Sequence, residues 1–260
     1  MSIDDQPNPE VANIVVTRAR WSQGAFSNSA QQDAHEAFCL LMDSCESVDK
    51  NMLHAMSLPT NLRTALLRNR GTNADRYSTP FWSALGGIQL TTTTCHACRR
   101  SSALYDIWHS LSLTVPEQAC TIEHLVGSYF SSTPLQDQCE YRDCMVECRR
   151  VKSDTLSRWP AVLVVHLKRW DVVSLDPFIR RKVLTVVSYE TLLVVDVNQP
   201  AYHLRGVVEH HGDAGGGHYT SIVRAPDNFW YRCDDEQSPK RVPTVSALNA
   251  QAMILVYEQT

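Results

Sequence analysis

The chain has 260 residues, with 24 Lys+Arg against 28 Asp+Glu, a formal charge of −4, 43% hydrophobic and 20% charged residues, and only 10 Gly and 12 Pro. These proportions exclude collagen-like, low-complexity and largely disordered chains, and an acidic balance with no long basic run excludes the footprint of a nucleic-acid binder. No apolar run approaches the roughly 20 residues that span a bilayer, so no membrane partner is expected. The opening MSIDDQPNPE is acidic and polar, unlike a secretory signal, so a cytoplasmic and/or nuclear protein is expected. Its nine cysteines are then thiols, metal ligands or core residues rather than disulfides.

In chain order, residues 1–26 read as an arm, with 11–16 as a short strand. Ser27, Asn28 and Ser29 offer N-caps for a helix over about 30–44, in which Ala34, Phe38, Leu41 and Cys45 recur at helical spacing. A short helical stretch over 62–67 precedes a connection rich in Arg, Asn, Gly and Thr. Residues 87–115 read as strand, turn, strand, and 121–130 as a short amphipathic helix. The last hundred residues are β-rich, with strands expected at 161–169, 183–187, 203–209, 219–224, 229–233 and 253–258. Early helices and late strands, without an internal repeat, argue for an α+β architecture.

The sharpest local feature is a glycine run, Gly212 and Gly215 to Gly217, leading into His218-Tyr219, a strand, and then Trp230-Tyr231-Arg232-Cys233-Asp234-Asp235. A hairpin with 225–228 as a four-residue loop sets His218 opposite Asp235, or opposite Asp234 if one bulge intervenes. An imidazole beside a carboxylate is what a general base needs, because the carboxylate fixes the tautomer and stabilises the imidazolium. The plainer reading of the same residues is a glycine hairpin with an exposed histidine. Cys95 and Cys98 have metal-knuckle spacing, and Cys144 with Cys148 forms the second half of an expected tetrahedral Zn²⁺ site, with Cys139 and Cys144 as a rival pair. Cys39, Cys45, Cys120 and Cys233 sit in apolar patterns and read as core. Gln32, Asp33 and Glu36 share one polar helix stripe, which on helix physics alone is a solvated face with acids near the N-terminus.

Together these segments change the reading. Gln31-Gln32-Asp33-Ala34-His35-Glu36, the Cys95/Cys98 knuckle, the run from Trp159 to Trp170, Arg181-Lys182-Val183, Tyr202-His203-Leu204, Gly217-His218-Tyr219 and Trp230 to Asp235 occur in the order seen in ubiquitin-specific proteases. The resemblance covers residues 31–257. It implies an α+β, papain-like cysteine-protease fold in which fingers, palm and thumb grip ubiquitin and feed its tail toward the active site. It further implies thumb in 27–80, fingers in about 87–158 and palm in about 159–260. By resemblance, His218 is the general base, Asp234 orients it, and Asp235 assists. Gln32, Asp33, Glu36, His210 and Gly217 match positions beside the bound ubiquitin tail.

One departure matters. The family's nucleophile lies in an amino-terminal box resembling Gly-Asn-Thr-Cys-Tyr, and no cysteine precedes Cys39 here. The chain therefore reads as the larger, carboxy-terminal part of such a domain, truncated at its amino terminus, and the sequence upstream of Met1 is what separates an enzyme from a pseudo-enzyme. The expected function is thiol hydrolysis of the bond after ubiquitin's terminal glycine, with ubiquitin and ubiquitinated proteins as partners and a structural zinc as cofactor. The first alternative is a ubiquitin-binding pseudo-protease without a nucleophile. The second is a zinc-dependent scaffold with no ubiquitin role.

Overall fold

The computed structural model describes residues 33–49 and 84–260, apart from 140, 142, 145–146, 177, 196–198 and 214. The expected strand at 11–16, the helical stretch at 62–67 and most of the 27–80 segment lie outside the described residues. The elements are α1 (Ala34–Asp49), β1 (Gly87–Cys95), β2 (Ser101–Trp108), β3 (Leu111–Thr114), β4 (Cys120–Thr121), α2 (Ile122–Tyr129), β5 (Thr133–Gln138), β6 (Glu147–Arg158) and β7 (Val162–Lys168). There follow β8 (Trp170–Leu175), β9 (Phe178–Lys182), β10 (Val187–Ser188), β11 (Leu192–Leu193), β12 (Tyr202–Asp213), β13 (Gly216–Arg224), β14 (Trp230–Cys233), β15 (Lys240–Val242), α3 (Thr244–Leu248) and β16 (Ala252–Gln259).

An eight-stranded sheet in the order β15-β14-β13-β12-β16-β7-β3, with β11 on β12, forms the base, and a four-stranded antiparallel sheet, β2-β1-β6-β5, extends from it. The run Val162 to Val165 is continuously apolar because β7 is covered on both faces. Leu163, Val165 and Leu167 join one core with Leu111, Ile122, Val126, Leu255 and Tyr257. Val164 joins Met253 and Ile254 in a second, against which Ala34 and Phe38 of α1 pack. The sheet is thus sandwiched between α1 and α2, each fully buried Leu, Ile or Val contributing roughly 1.5–3 kcal/mol. Thr121 caps α2 by accepting from the His124 amide at 3.2 Å.

Three expectations change on inspection. The first helix begins at Ala34 and runs to Asp49, with Asp33 as its cap. Residues 183–186 are not a strand: Arg169, only 2% exposed, donates to Val183 O (3.0 Å) and Thr185 O (2.7 Å) through its terminal nitrogen and to Ala252 O (2.7 Å) through Nε, while Val186 O accepts from the Cys120 amide (3.2 Å). A buried guanidinium is solvated by three main-chain carbonyls in place of water, so it stitches the 183–186 connection to the start of β16.

The third change is the register of the last hairpin. β13 and β14 pair Ser221 with Cys233 and Arg224 with Trp230, one residue away from the expected alignment. Ala225 N also donates to Phe229 O (2.9 Å), which leaves 226–228 as a three-residue loop. Asn228 takes the left-handed conformation such a loop requires (φ 66°), and Asp227 braces it by accepting from the Phe229 amide at 2.9 Å.

Candidate functional site

His218 enters from β13 just after the glycine turn, and Asp234 follows the last residue of β14, so the β13–β14 ladder brings them together. His218 Nε2 lies 2.6 Å from Asp234 Oδ1, and Nδ1 lies 4.0 Å from Asp235 Oδ2. The chain leaves the ladder at Asp235, whose φ of 45° breaks the strand and lets Asp234 turn toward the imidazole. The hydrogen bond to Asp234, aided by the charges of Asp234 and Asp235, raises the His218 pKa above its ordinary value, and the same bond lowers that of Asp234. Gln237 Nε2 holds the other Asp234 oxygen at 3.0 Å. With the Nε2 proton directed at a carboxylate, Nδ1 is the nitrogen left to accept a proton.

The glycine turn is built for close approach. A Cβ on Gly217 would lie 2.1 Å from His211 O and 2.5 Å from His210 Nε2, so only glycine fits between strand and ring. His210 is 3% exposed, packed edge-on against Trp170 (centroids 5.2 Å apart) and tilted on Tyr219 (4.6 Å). It therefore props Gly217 from beneath and presents no ring to the surface. Lys182 at the end of β9 donates to His210 O (2.5 Å) and Gly212 O (3.2 Å), tying the β8–β9 hairpin to the turn.

Asp33 closes this assembly from the helix side. Its Oδ1 accepts from the amides of His35 (2.8 Å) and Glu36 (3.1 Å), capping α1, while Oδ2 accepts from Trp170 Nε1 (3.1 Å) and Tyr219 OH (3.4 Å). Both oxygens are thus engaged within the chain, whereas Glu36 in the first turn is exposed. Gln32 lies outside the described residues. Sequence reasoning missed Trp170, Tyr219 and Lys182; their signal was present in the Trp159 to Trp170, Gly217-His218-Tyr219 and Arg181-Lys182-Val183 segments, without indicating what they touch.

Among the described residues no cysteine sulfur joins the group around His218, which contains Asp234 and Asp235 alone. Cys39 lies on α1, 3.8 Å from His35 Nε2, and burial, with Asp43, Asp33 and Glu36 adding to it, pushes its thiol pKa up, the opposite of activation. Cys233 is a ladder residue opposite Ser221.

At the far end of the four-stranded sheet, the ligand atoms of Cys95, Cys98, Cys139 and Cys144 lie within 4.8 Å of one another. The Cys95–Cys144 and Cys98–Cys139 sulfur pairs are 3.9 and 3.8 Å apart. Four sulfurs at ~2.3 Å from a tetrahedral ion would stand about 3.8 Å apart, so the set fits a four-coordinate metal. Burial, together with the neighbouring thiols, pushes Cys144 up to about 12, so a dication is what would release these protons. The fourth place, expected for Cys148, goes to Cys139. Cys139 and Cys144 flank one short turn, while Cys148 has already entered β6 opposite Asp137, and its side chain lies outside those described. Arg100 locks the two knuckles, pairing with Asp143 (2.6 Å) and stacking on Tyr141 (4.5 Å).

The sequence profile of the ubiquitin carboxyl-terminal hydrolase family matches residues 6–257. The chain belongs to this family. It is 27% identical over 253 residues to ubiquitin carboxyl-terminal hydrolase 23 of Arabidopsis thaliana, spanning 94% of this chain and 27% of that protein. It is 26% identical over 268 residues to human ubiquitin carboxyl-terminal hydrolase 3, spanning 89% of this chain and 49% of that one. The chain thus spans half or less of these relatives' length. Among solved structures, a chain of the SAGA Ubp8/Sgf11/Sus1/Sgf73 DUB module bound to ubiquitin aldehyde superposes with a TM-score of 0.73 at 19% identity, covering 97% of this chain and 54% of that one. A chain of the same module bound to monoubiquitin gives 0.74 at 20% identity, covering 97% and 53%. At such identities the likeness establishes the α+β, papain-like fold of the hydrolase domain.

Proposed function

We propose that this chain forms the ubiquitin-gripping and base-bearing part of a cysteine-type deubiquitinase, which hydrolyses the isopeptide or peptide bond after ubiquitin's terminal glycine. The observation that carries this reading is the 2.6 Å His218–Asp234 pair beside the Gly217 turn in a chain of this family. In this scheme His218 Nδ1 takes the proton from a thiol, the thiolate attacks the carbonyl, and the imidazolium returns the proton to the leaving amine. The same imidazole then activates water against the acyl-enzyme. Asp234 holds the tautomer and stabilises the imidazolium, and Asp235 adds charge on the Nδ1 side. Gly217 leaves main chain open to an extended tail, Glu36 offers a carboxylate to the tail's arginines, and Gln32 is assigned to the same groove by resemblance. Asp33 and His210 shape that groove rather than line it. In this reading α1 belongs to the thumb, the four-stranded sheet to the fingers and the eight-stranded sheet to the palm. A zinc ion on Cys95, Cys98, Cys139 and Cys144 holds the finger knuckles together.

No described cysteine side chain joins the His218 group, so in this reading the attacking thiol is none of these cysteines. That same observation favours one second reading, a module that binds ubiquitin without cleaving it. Two assays separate them. Calorimetric titration of the 260-residue chain with ubiquitin should give saturable heat that weakens with Glu36→Ala and is indifferent to His218→Ala; the absence of binding at high micromolar ubiquitin contradicts both readings. The protein expressed from its full transcript should release a fluorogenic group from the ubiquitin C-terminus and lose this with His218→Ala. Binding without release by that form selects the second reading.

A further inference from the structure

Directly beneath the His218–Asp234 pair lies a polar network that the proposed chemistry does not use. Glu209 on β12 is 5% exposed, and its Oε1 accepts from Arg232 on β14, from the Thr220 hydroxyl on β13 (3.1 Å) and lies 3.2 Å from His211 Nε2. Thr220 also receives a longer contact from Arg232 (3.3 Å) and shares its hydroxyl with His211 (3.0 Å). Three neighbouring strands therefore converge on one buried carboxylate oxygen.

The ladder explains why this bears on the site. Side chains two residues apart share a face, so Glu209 and His211, Thr220 and His218, and Arg232 and Asp234 all project from the same side of the sheet. Glu209 pairs with Thr220 and His211 with His218 across the β12–β13 ladder. β14 is four residues long, and its last pairing with β13 is Ser221 with Cys233, one residue before Asp234. Beyond that point Gln237 holds Asp234, but Gln237 is exposed and belongs to the departing turn. Arg232 is the last β14 side chain before Asp234 on the shared face, and it reaches across β13 to an anchor on β12.

We propose that Glu209, through Arg232 and Thr220, positions the catalytic pair, clamping the strand that carries Asp234 to the strand that carries His218. The inference rests on the base role proposed for His218. A buried carboxylate without its guanidinium is strongly unfavourable, so each partner holds the other, and the clamp acts on geometry rather than by touching substrate. Asp234 and Asp235 are the charged groups that face His218 itself, and Glu209 is not among the charges that act on it.

The test is a histidine-labelled NMR titration of the 260-residue chain. In the unaltered protein His218 should titrate above its ordinary value. Glu209→Gln, Arg232→Met and the double variant should each lower its midpoint, by about 0.5–1 pH unit, toward the value in Asp234→Asn. Arg232→Lys should restore most of the shift, and Glu258→Gln, which removes an exposed ion pair with Arg205 elsewhere on the sheet, should leave it unchanged. A purely through-space effect gives shifts of opposite sign for the two single variants, cancelling in the double. That pattern, or no shift in any variant, overturns the proposal. If Glu209→Gln does not fold, Arg232→Met against Arg232→Lys decides it, since Arg232 is partly exposed. The full-transcript protein separates this inference from the reading beneath it. Hydrolysis indifferent to His218→Ala sinks the base role, whereas hydrolysis that needs His218 but ignores Arg232→Met, with an unmoved His218 midpoint, sinks only the clamp.

Discussion

Acidification should weaken the joint between α1 and the large sheet through one imidazole. His166 of β7 stacks face to face with His35 of α1, the ring centroids 3.8 Å apart and the planes within 10°. Ser112 Oγ lies 3.1 Å from His166 Nδ1 and Ser110 Oγ 2.8 Å from His35 Nε2. Burial, then the neighbouring His35 and Lys168 charges, lowers His166 from 6.5 to about 4, while Asp33 opposes them; burial lowers His35 in the same direction. A group whose folded pKa is depressed in this way binds protons more readily unfolded. Its stabilising contribution is complete above 6.5 and is lost as pH falls toward 4. At pH 4.5 the loss from His166 is about 2.5 kcal/mol, a large share of a typical domain's stability. Urea denaturation between pH 7.5 and 4.5 should be run on the unaltered chain and on His166→Gln. The variant is less stable at pH 7.5, having lost the stack, and the gap should narrow by about 2 kcal/mol at pH 4.5. A gap constant to within about 0.5 kcal/mol would refute the claim that these imidazoles are buried neutral.

Three further outcomes follow from single sites. Asp33→Ala should destabilise by roughly 2–4 kcal/mol, combining a lost N-cap with hydrogen bonds from Trp170 and Tyr219, while Asp33→Ser should recover about 1 kcal/mol by restoring the cap alone; equal Tm values for both would contradict the dual role. Elemental analysis should find one zinc per chain, lost with Cys139→Ser and retained with Cys148→Ser, and the reverse pattern would show the fourth ligand to be misassigned. Arg169→Met should cost about 2–4 kcal/mol, because one buried and two part-buried carbonyls lose their donor, and normal urea stability in that variant would remove the stitching role.

What the sequence made legible was decided by how much each element depends on its neighbours. The helix α2 was readable from its Thr121 cap and apolar spacing, and β7, β12 and β16 from β-branched runs that reflect burial. The β8–β9 hairpin and β5 and β6 were not anticipated. β8 leaves Val172, Val173 and Leu175 exposed, and β6 reads as a run of charged and polar residues, so neither shows an apolar alternation. The 183–186 part of the expected strand misled for the opposite reason: its apolar residues read as strand, yet the Val183 and Thr185 carbonyls are taken by the Arg169 side chain instead of a neighbouring strand, which periodicity cannot reveal. The His218–carboxylate encounter was foreseeable from the hairpin, but the observed register alone would set His218 opposite position 236, and Asp234 meets the imidazole because β14 ends at Cys233 and Asp235 breaks the strand. Spacing favoured Cys148 over its rival Cys139, whereas among the described residues the sulfurs that gather are those of Cys95, Cys98, Cys139 and Cys144, Cys148 having already entered β6. Asp33 was read from helix physics as a solvated acid and from the resemblance as a residue beside the ubiquitin tail, because a cap and two distant donors leave no mark on local sequence.

A ubiquitin probe bearing a C-terminal electrophile, with adducts mapped by mass spectrometry, tests the role of His218 most directly. No adduct is expected on any of the nine cysteines of residues 1–260. The protein expressed from its full transcript should form an adduct at a thiol outside them, abolished by His218→Ala and sharply slowed by Asp234→Ala. An adduct on one of the nine, or one formed equally well without His218, would contradict this reading.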